Sequence, residues 1–299
     1  MSQVFADASP LMAALCQEEA ARRLLPELVV HTGPATTDLT ARLAGGEALM
    51  IFQTRLTAGM LEACPSLRRV VVLSTAPEGW VDMAAAQGRG IAVQGVKAYG
   101  DRTVAEHALA LLLACTRGIV RMDRAVRAGH WQLEPWGELA GKTLAVIGLG
   151  GAGRAMAGLA DALGMRVVGW NRSAVPATVQ CRLLPLDQAL AEADIVSLHL
   201  ALNDATRGLI DARRLALLRP GAILVNTARG ALVEHAALVA ALRSGHLAAA
   251  GLDVFAAEPL PPDDPLRSLE SVVLTPHAAW LSPEAARRLL HQGLTLLKG

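Results

Sequence analysis

Short apolar runs recur along this chain and alternate with helix-like stretches. In the first hundred residues, Leu28–Val30, Ala48–Phe52, Val70–Leu73 and Ile91–Val93 read as strands. Turn chemistry or a helix start follows several of them, as at Thr32-Gly33-Pro34, Thr57-Ala58-Gly59 and Thr75–Gly79. Strands that alternate with helices predict a parallel sheet covered on both faces. Thr103–Ala128 reads as one long helix, apolar nearly all round through Leu113. Such a helix belongs in a core or at a subunit interface. A second alternating series starts at Thr143. Its strands are Thr143–Gly148, Arg166–Trp170, Ile195–Leu198, Ala222–Asn226, Ala249–Val254 and Ser271–Leu274, with helices such as Arg154–Leu163, Leu186–Ala191 and His235–Ser244 between them. Pro283–Lys298 closes the chain as a further helix.

Composition adjusts this picture in two ways. Hydrophobic residues make up 53% of the 299, charged residues only 18%, and mean hydropathy is +0.36. That balance suggests a membrane protein, yet the longest unbroken apolar run, Ala108–Cys115, is far short of the ~20 residues that a span requires. Alanine raises the apolar count, and with aromatics at 3% the core is expected to be aliphatic. The net charge of +1, with no block of like charge, argues against nucleic acid or an anionic membrane surface as partner. Cys16, Cys64, Cys115 and Cys181 are scattered without metal-ligand spacing and read as reduced thiols, so no metal site is expected. The amino terminus shows no basic segment leading into a long apolar core. The expected setting is cytoplasmic.

Gly148-Leu149-Gly150-Gly151-Ala152-Gly153 is a G-x-G-x-x-G placed between an apolar strand and a helical pattern. In that context the first glycine permits a tight turn and the second lets backbone approach a pyrophosphate. The third lets helix and strand pack closely, while the helix N-terminus faces the anion. Gly148, Gly150, Gly151, Ala152 and Gly153 are therefore expected to bind a dinucleotide. The next strand ends at Trp170 and runs into Asn171-Arg172-Ser173, where a carboxylate would normally receive the ribose 2′-hydroxyl. Here a guanidinium stands instead, suited to a 2′-phosphate. The expectation is NADP(H) in preference to NAD(H), with Asn171 and Arg172 at the cofactor. An Arg172 stacked on adenine, with mixed specificity, is the other reading. About 140 residues precede the fingerprint, which leaves room for a substrate domain ahead of it.

Four further segments carry a resemblance. Ala193–Asp211, Leu218–Leu238, Ala249–Pro261 and Leu274–Trp280 resemble the D-2-hydroxyacid dehydrogenases, and Ala105–Gly118 resembles that family's long helix. The WNRS and HAAW endings resemble its glyoxylate/hydroxypyruvate reductases. The resemblance implies an α/β chain of two Rossmann-like domains with parallel sheets. A flavodoxin-like substrate domain, 1–99 and 281–299, would be split around an inserted dinucleotide-binding domain, 100–280. It implies three catalytic residues. Arg229 in NTARG would bind and polarise the substrate, His277 in TPHAAW would be the acid/base, and Glu258 would be its carboxylate partner. Reducing a 2-oxo acid requires a hydride on the carbonyl carbon and a proton on the developing alkoxide. A histidinium favoured by a nearby carboxylate can supply that proton near neutral pH, and a guanidinium can hold the substrate carboxylate. Asp253 in GLDVF matches a residue near the nicotinamide carboxamide, with a strand-end turn former as its other reading. His107 and His199 read as structural. A homodimer through the cofactor domains is implied.

Two departures stand out. In the substrate loop Ser74–Trp80, Ala76 replaces an expected glycine and Pro77 has no N–H, so Thr75 and Ala76 remain as the substrate-binding candidates. In the fingerprint, Gly151 replaces a frequent arginine; Arg154 either substitutes for it or lies along the helix. The expected activity is hydride transfer between NADP(H) and a small 2-oxo/2-hydroxy acid of the glyoxylate or hydroxypyruvate type. The rivals are phosphite or formate oxidation on the same scaffold, with Glu258 disfavouring formate, and a non-enzymatic dinucleotide sensor.

Overall fold

In the computed structural model, residues 3–131, 133–175 and 181–299 are described. They divide into two compact units, Met1–Gly100 with Ser282–Gly299, and Asp101–Leu281. Both are α/β.

The first unit holds a five-stranded parallel sheet. Its strands are β1 Gln3–Ala8, β2 Val29–Thr32, β3 Ala48–Ile51, β4 Arg69–Val72 and β5 Ala92–Gly95, in the order β2-β1-β3-β4-β5. This is the 2-1-3-4-5 order of flavodoxin-like sheets. All four residues of β3 are buried, as a strand covered on both faces requires. Asp7, at the end of β1, is fully buried and accepts the backbone N–H groups of Phe52, Gln53 and Thr54. β1 is absent from the sequence expectation, because its alternation is broken by that buried aspartate. The helix Pro283–Lys298 buries Leu289, Leu290, Leu294 and Leu297 in this same unit.

The second unit holds a seven-stranded parallel sheet. It comprises β6 Thr143–Ile147, β7 Arg166–Trp170, β8 Arg182–Leu183, β9 Ile195–Leu198, β10 Ala222–Asn226, β11 Leu247–Leu252 and β12 Val272–Leu274. The order β12-β11-β10-β9-β6-β7-β8 places the first strand of the unit between its second and fourth. That is a doubly wound sheet with its switch point between β6 and β9, where such sheets take ligands at their carboxyl ends. β6 and β9 are buried throughout, and the core on both faces is mainly Leu, Val, Ile and Ala.

The expected single helix Thr103–Ala128 is two. Asp101–Thr116 stops before Arg117, Gly118 takes φ 59°, and Ile119–Arg127 continues at a bend of 60°. The cause is Trp136: a Cβ on Gly118 would lie 2.1 Å from its ring, so only glycine lets the indole pack there. Ala105, Ala108, Leu111 and Leu112 of the first piece are core residues of the second unit. Among the described residues, no single helix is long and apolar enough to cross a membrane.

Candidate active site

Register decides which residues meet. Across the second sheet Ile147 pairs with Leu198, Leu198 with Asn226, Asn226 with Leu252, and Leu252 with Leu274. These five residues end their strands. The segments that follow therefore emerge along one carboxyl edge: the glycine turn at 148, Thr227–Gly230, Asp253–Glu258 and Thr275–His277.

At the first of these segments Gly148 adopts φ 100° and the helix Gly151–Ala162 begins. The helix starts three residues before the expected Arg154, because the glycines belong to its first turn. A Cβ on Gly153 would lie 1.9 Å from the Gly148 carbonyl oxygen, so this glycine is a packing requirement. Gly150 faces nothing within 4 Å. An open glycine before a helix of 12 residues is the cradle that a pyrophosphate needs, and these residues fit a dinucleotide. Gly151 has a different reason: a Cβ there would collide with the Asp101 carboxylate, 1.6 Å from Oδ2. Arg154 donates to the Leu149 carbonyl at 3.2 Å, so it braces the turn. Asn171 also braces it, accepting the Leu149 N–H at 3.0 Å while donating to Ser173. Arg172 is exposed and makes no hydrogen bond or ion pair among the described residues.

His199 lies behind the turn. Its Nε2 is 2.8 Å from Ser197 Oγ, its Nδ1 has no partner among the described residues, and burial pushes its pKa down to about 4. It is a neutral ring at physiological pH. The backbone of His199 sits 2.7 Å from where a Gly148 Cβ would be, so this histidine shapes the turn.

The three expected catalytic residues come from the next segments. His277 Nδ1 lies 2.7 Å from Glu258 Oε2, with both side chains more than one-third exposed. Glu258 Oε1 accepts the Phe255 N–H at 2.9 Å, so the carboxylate is held at both oxygens. With Nδ1 engaged, Nε2 is the ring nitrogen left for another molecule. Arg229 follows β10 in an extended conformation. The Asn226 side chain holds this segment, accepting from Ala228 N–H and donating to the Arg229 carbonyl, both at 3.0 Å. The guanidinium donates one bond to the Ala228 carbonyl at 2.7 Å and pairs with no carboxylate among the described residues. Gly230 brings the Arg229 segment onto the Glu258 segment: a Cβ there would lie 2.0 Å from the Phe255 carbonyl carbon.

His277 has φ 54°, a left-handed backbone that costs a non-glycine residue roughly 1–2 kcal/mol. Asp253 holds it there. The Asp253 carbonyl accepts the His277 N–H at 2.8 Å. The carboxylate accepts Thr275 Oγ1–H at 2.5 Å and the N–H groups of Ala278 and Ala279 at 2.9 and 2.8 Å. Hydrogen bonds to a charged acceptor are worth about 1.5–3 kcal/mol each, enough to offset the backbone cost. Burial opposes the charge on Asp253, but these bonds and His107 outweigh it and keep the carboxyl below its usual range. These bonds make Asp253 an anchor of the turn that follows β12. Asn226, Gly230 and Thr275 were missing from the sequence expectation. Their signal lay in the NTARG and TPH motifs themselves, each read only for its charged residue.

In the first unit, the Ala76 N–H donates to Ser74 Oγ at 3.2 Å, and Pro77 opens a short 3₁₀ turn, Pro77–Gly79. Thr75 is exposed beside it. Among the described residues no group of three or more His, Cys, Asp or Glu side chains is placed to hold a metal. A cavity of about 380 Å³ opens at the amino-terminal ends of β9–β11, lined by Thr116, Trp136, Lys142 and Arg219 among others. It lies at the sheet edge opposite the catalytic candidates.

Residues 109–279 match the model of the D-isomer specific 2-hydroxyacid dehydrogenase NAD-binding domain. The chain belongs to that family. A hydroxypyruvate reductase from Blautia hydrogenotrophica is 34% identical over 89% of this chain and 86% of its own length. A D-3-phosphoglycerate dehydrogenase from Mycobacterium leprae is 41% identical over 86% of the chain, which spans about half (49%) of that relative. Among solved structures, an acyclic imino acid reductase in complex with NADPH and D-Arg is 28% identical, with a TM-score of 0.85 over 98% of this chain and 94% of that one. As a family member the chain carries a nicotinamide dinucleotide-binding domain, and its open glycine turn fits the phosphates of that dinucleotide.

Proposed function

We propose that this protein transfers a hydride between NADP(H) and a small 2-oxo/2-hydroxy acid of the glyoxylate or hydroxypyruvate type. The carrying observation is the His277 Nδ1–Glu258 bond at 2.7 Å, which leaves Nε2 for a substrate oxygen. The hydroxypyruvate reductase relative supports the substrate class. The dinucleotide, when bound, supplies or accepts the hydride. This chain's own residues do the rest. Arg229 binds the substrate carboxylate and draws electron density from its carbonyl oxygen. Histidinium Nε2–H donates the proton to that oxygen, and Glu258 balances the imidazolium charge and holds the ring orientation. In the oxidative direction neutral Nε2 takes the proton back. Thr75 and Ala76 are proposed to serve as the substrate loop of the first unit.

The test is NADPH oxidation with glyoxylate, hydroxypyruvate, pyruvate and larger 2-oxo acids, beside NADP⁺ reduction with phosphite and formate. Turnover of the two small acids is expected. Silence throughout, with NADPH still bound, would instead mark a dinucleotide sensor.

NADP(H) preference rests on Arg172, which has no partner among the described residues, and on the lack of a carboxylate in the Asn171-Arg172-Ser173 stretch that follows β7. The imino acid reductase, whose structure carries NADPH, supports this reading. Arg172→Ala is expected to lower kcat/KM for NADPH about tenfold and leave NADH within a factor of about two to three. An unchanged NADPH/NADH ratio would remove Arg172 from the cofactor.

The proposed partner is a second copy of the chain. Leu113, Ile119, Val126, Trp131 and Leu133 are all exposed within one short stretch, Trp131 at 83% and Leu133 at 94%. Singly such residues are ordinary, but five within 21 residues of chain are the kind of apolar exposure that homodimers bury. Light scattering at micromolar concentration is expected to give the dimer mass, and Trp131→Asp with Leu133→Asp to give the monomer. The four unpaired cysteines fit the cytoplasmic setting that completes this reading.

A further inference from the structure

We propose that His107 is a positioning residue for the acid/base. From the core helix Asp101–Thr116 it acts through Thr275 and Asp253 on the turn that presents His277. The inference rests on the function proposed above, in which His277 is the proton donor.

The directions of the bonds follow from chemistry. Asp253 is a buried carboxylate and can only accept. Thr275 Oγ1 therefore spends its single proton on Asp253 Oδ1, at 2.5 Å. His107 Nε2 stands 3.0 Å from the same Thr275 oxygen, so it must be the donor, and its tautomer is settled as Nε2–H. The same nitrogen lies 3.5 Å from Asp253 Oδ1. His107 thus orients the hydroxyl that fills one lone pair of Asp253. The other acceptor positions of Asp253 take the N–H groups of Ala278 and Ala279. Those two residues, with the His277 N–H on the Asp253 carbonyl, define the left-handed turn at His277.

Removing the His107 donor has two consequences. Thr275 Oγ1 loses the bond that fixes its rotamer, and Asp253 loses the imidazole N–H that stands 3.5 Å from its Oδ1. The carboxylate keeps the N–H groups of Ala278 and Ala279, but its bond from Thr275 is less firmly directed, and the turn at 277–279 loosens. His277 Nδ1 no longer meets Glu258 at a fixed geometry. Because the bonds of His107 run to Thr275 and Asp253 and not to the glycine turn or Arg229, dinucleotide binding is spared. The helix carrying His107 packs against the sheet through Ala105, Ala108, Leu111 and Leu112, so its fold does not depend on the imidazole.

Three variants separate donation from packing. His107→Gln keeps an N–H near the position of Nε2, His107→Phe keeps the volume without a donor, and His107→Ala removes both. The glutamine variant is expected to stay within about threefold of wild-type kcat. The phenylalanine and alanine variants should each lose about tenfold or more in kcat, with the NADPH dissociation constant unchanged. The decisive readout needs no substrate. In the apo-protein labelled with ¹⁵N at histidine, the His277 ring resonances and titration midpoint should move in His107→Phe and stay in place in His107→Gln. The proposal is overturned if His277 titrates identically in wild type and His107→Phe, or if His107→Gln is as impaired as His107→Ala. If no 2-oxo acid is turned over by the wild type while His277 still responds to His107→Phe, the functional reading fails and the coupling stands.

Discussion

His277→Ala is expected to lower kcat for 2-oxo acid reduction by roughly 10²–10⁴-fold, the range for losing a general acid, or about 3–5 kcal/mol of barrier. The substitution removes Nε2, the only ring nitrogen not already engaged by Glu258. The fold should survive it: the turn at 277 is held by backbone and by Asp253, so alanine can take the same path at a modest cost in stability. The NADPH dissociation constant should stay within about twofold, because the glycine turn follows β6 and His277 follows β12. Stopped-flow hydride transfer and fluorescence titration of NADPH measure the two quantities separately. A variant with near-normal turnover would remove His277 as proton donor. One with lost cofactor binding would make it part of the cofactor site. Glu258→Gln is the companion variant, since it keeps an acceptor for Nδ1–H but not the balancing charge, and should fall between wild type and His277→Ala.

Arg229→Gln should cost roughly 10²–10³-fold in kcat/KM, about 3–4 kcal/mol, the scale for removing one donor from a developing oxyanion. The reason is the isolation of this guanidinium. Its backbone is clamped by Asn226, and its one internal bond goes to the adjacent Ala228 carbonyl. No carboxylate among the described residues neutralises it, so its charge is available to a bound anion. Arg229→Lys should recover only part of the loss, because an ammonium lacks the planar fork that grips a carboxylate. The expected split is a large rise in KM for the 2-oxo acid together with a fall in kcat. A fall in kcat alone would place Arg229 on the carbonyl and away from the carboxylate. Steady-state kinetics with glyoxylate and hydroxypyruvate, beside unchanged NADPH binding, make the distinction.

Much of this site was legible in the residues, and for identifiable reasons. The glycine turn was readable because each glycine answers a steric demand that no other residue meets: φ 100° at Gly148, an open approach at Gly150, a carbonyl against Gly153. The charged triad was readable through the family's motifs, which place Arg229, Glu258 and His277 just past strand ends. Less legible were the residues that hold those three in place. Asn226 and Thr275 look like ordinary strand-end polar residues until their partners are known. Those of Asn226 lie two and three residues further along its own segment, while Thr275 finds them at the end of β11 and on a helix far away in sequence. The break at Gly118 was hidden for the same reason. An apolar helical period continues across it, and only the ring of Trp136, packed from a later loop, requires the bend.

The amino-acid sequence by itself determined the alternation of strand and helix, the dinucleotide turn and the identity of the charged groups, because those rest on local sterics, periodicity and motif. The tertiary structure alone decided which groups act together. Parallel register sets the ends of β6, β9, β10, β11 and β12 along one edge. It thereby joins His277 to Glu258 across 19 residues of chain. It also makes Asp253 the buried anchor of the turn at 277–279. Hydrogen-bond direction is a property of who stands next to whom, and that is settled only when the sheet has formed.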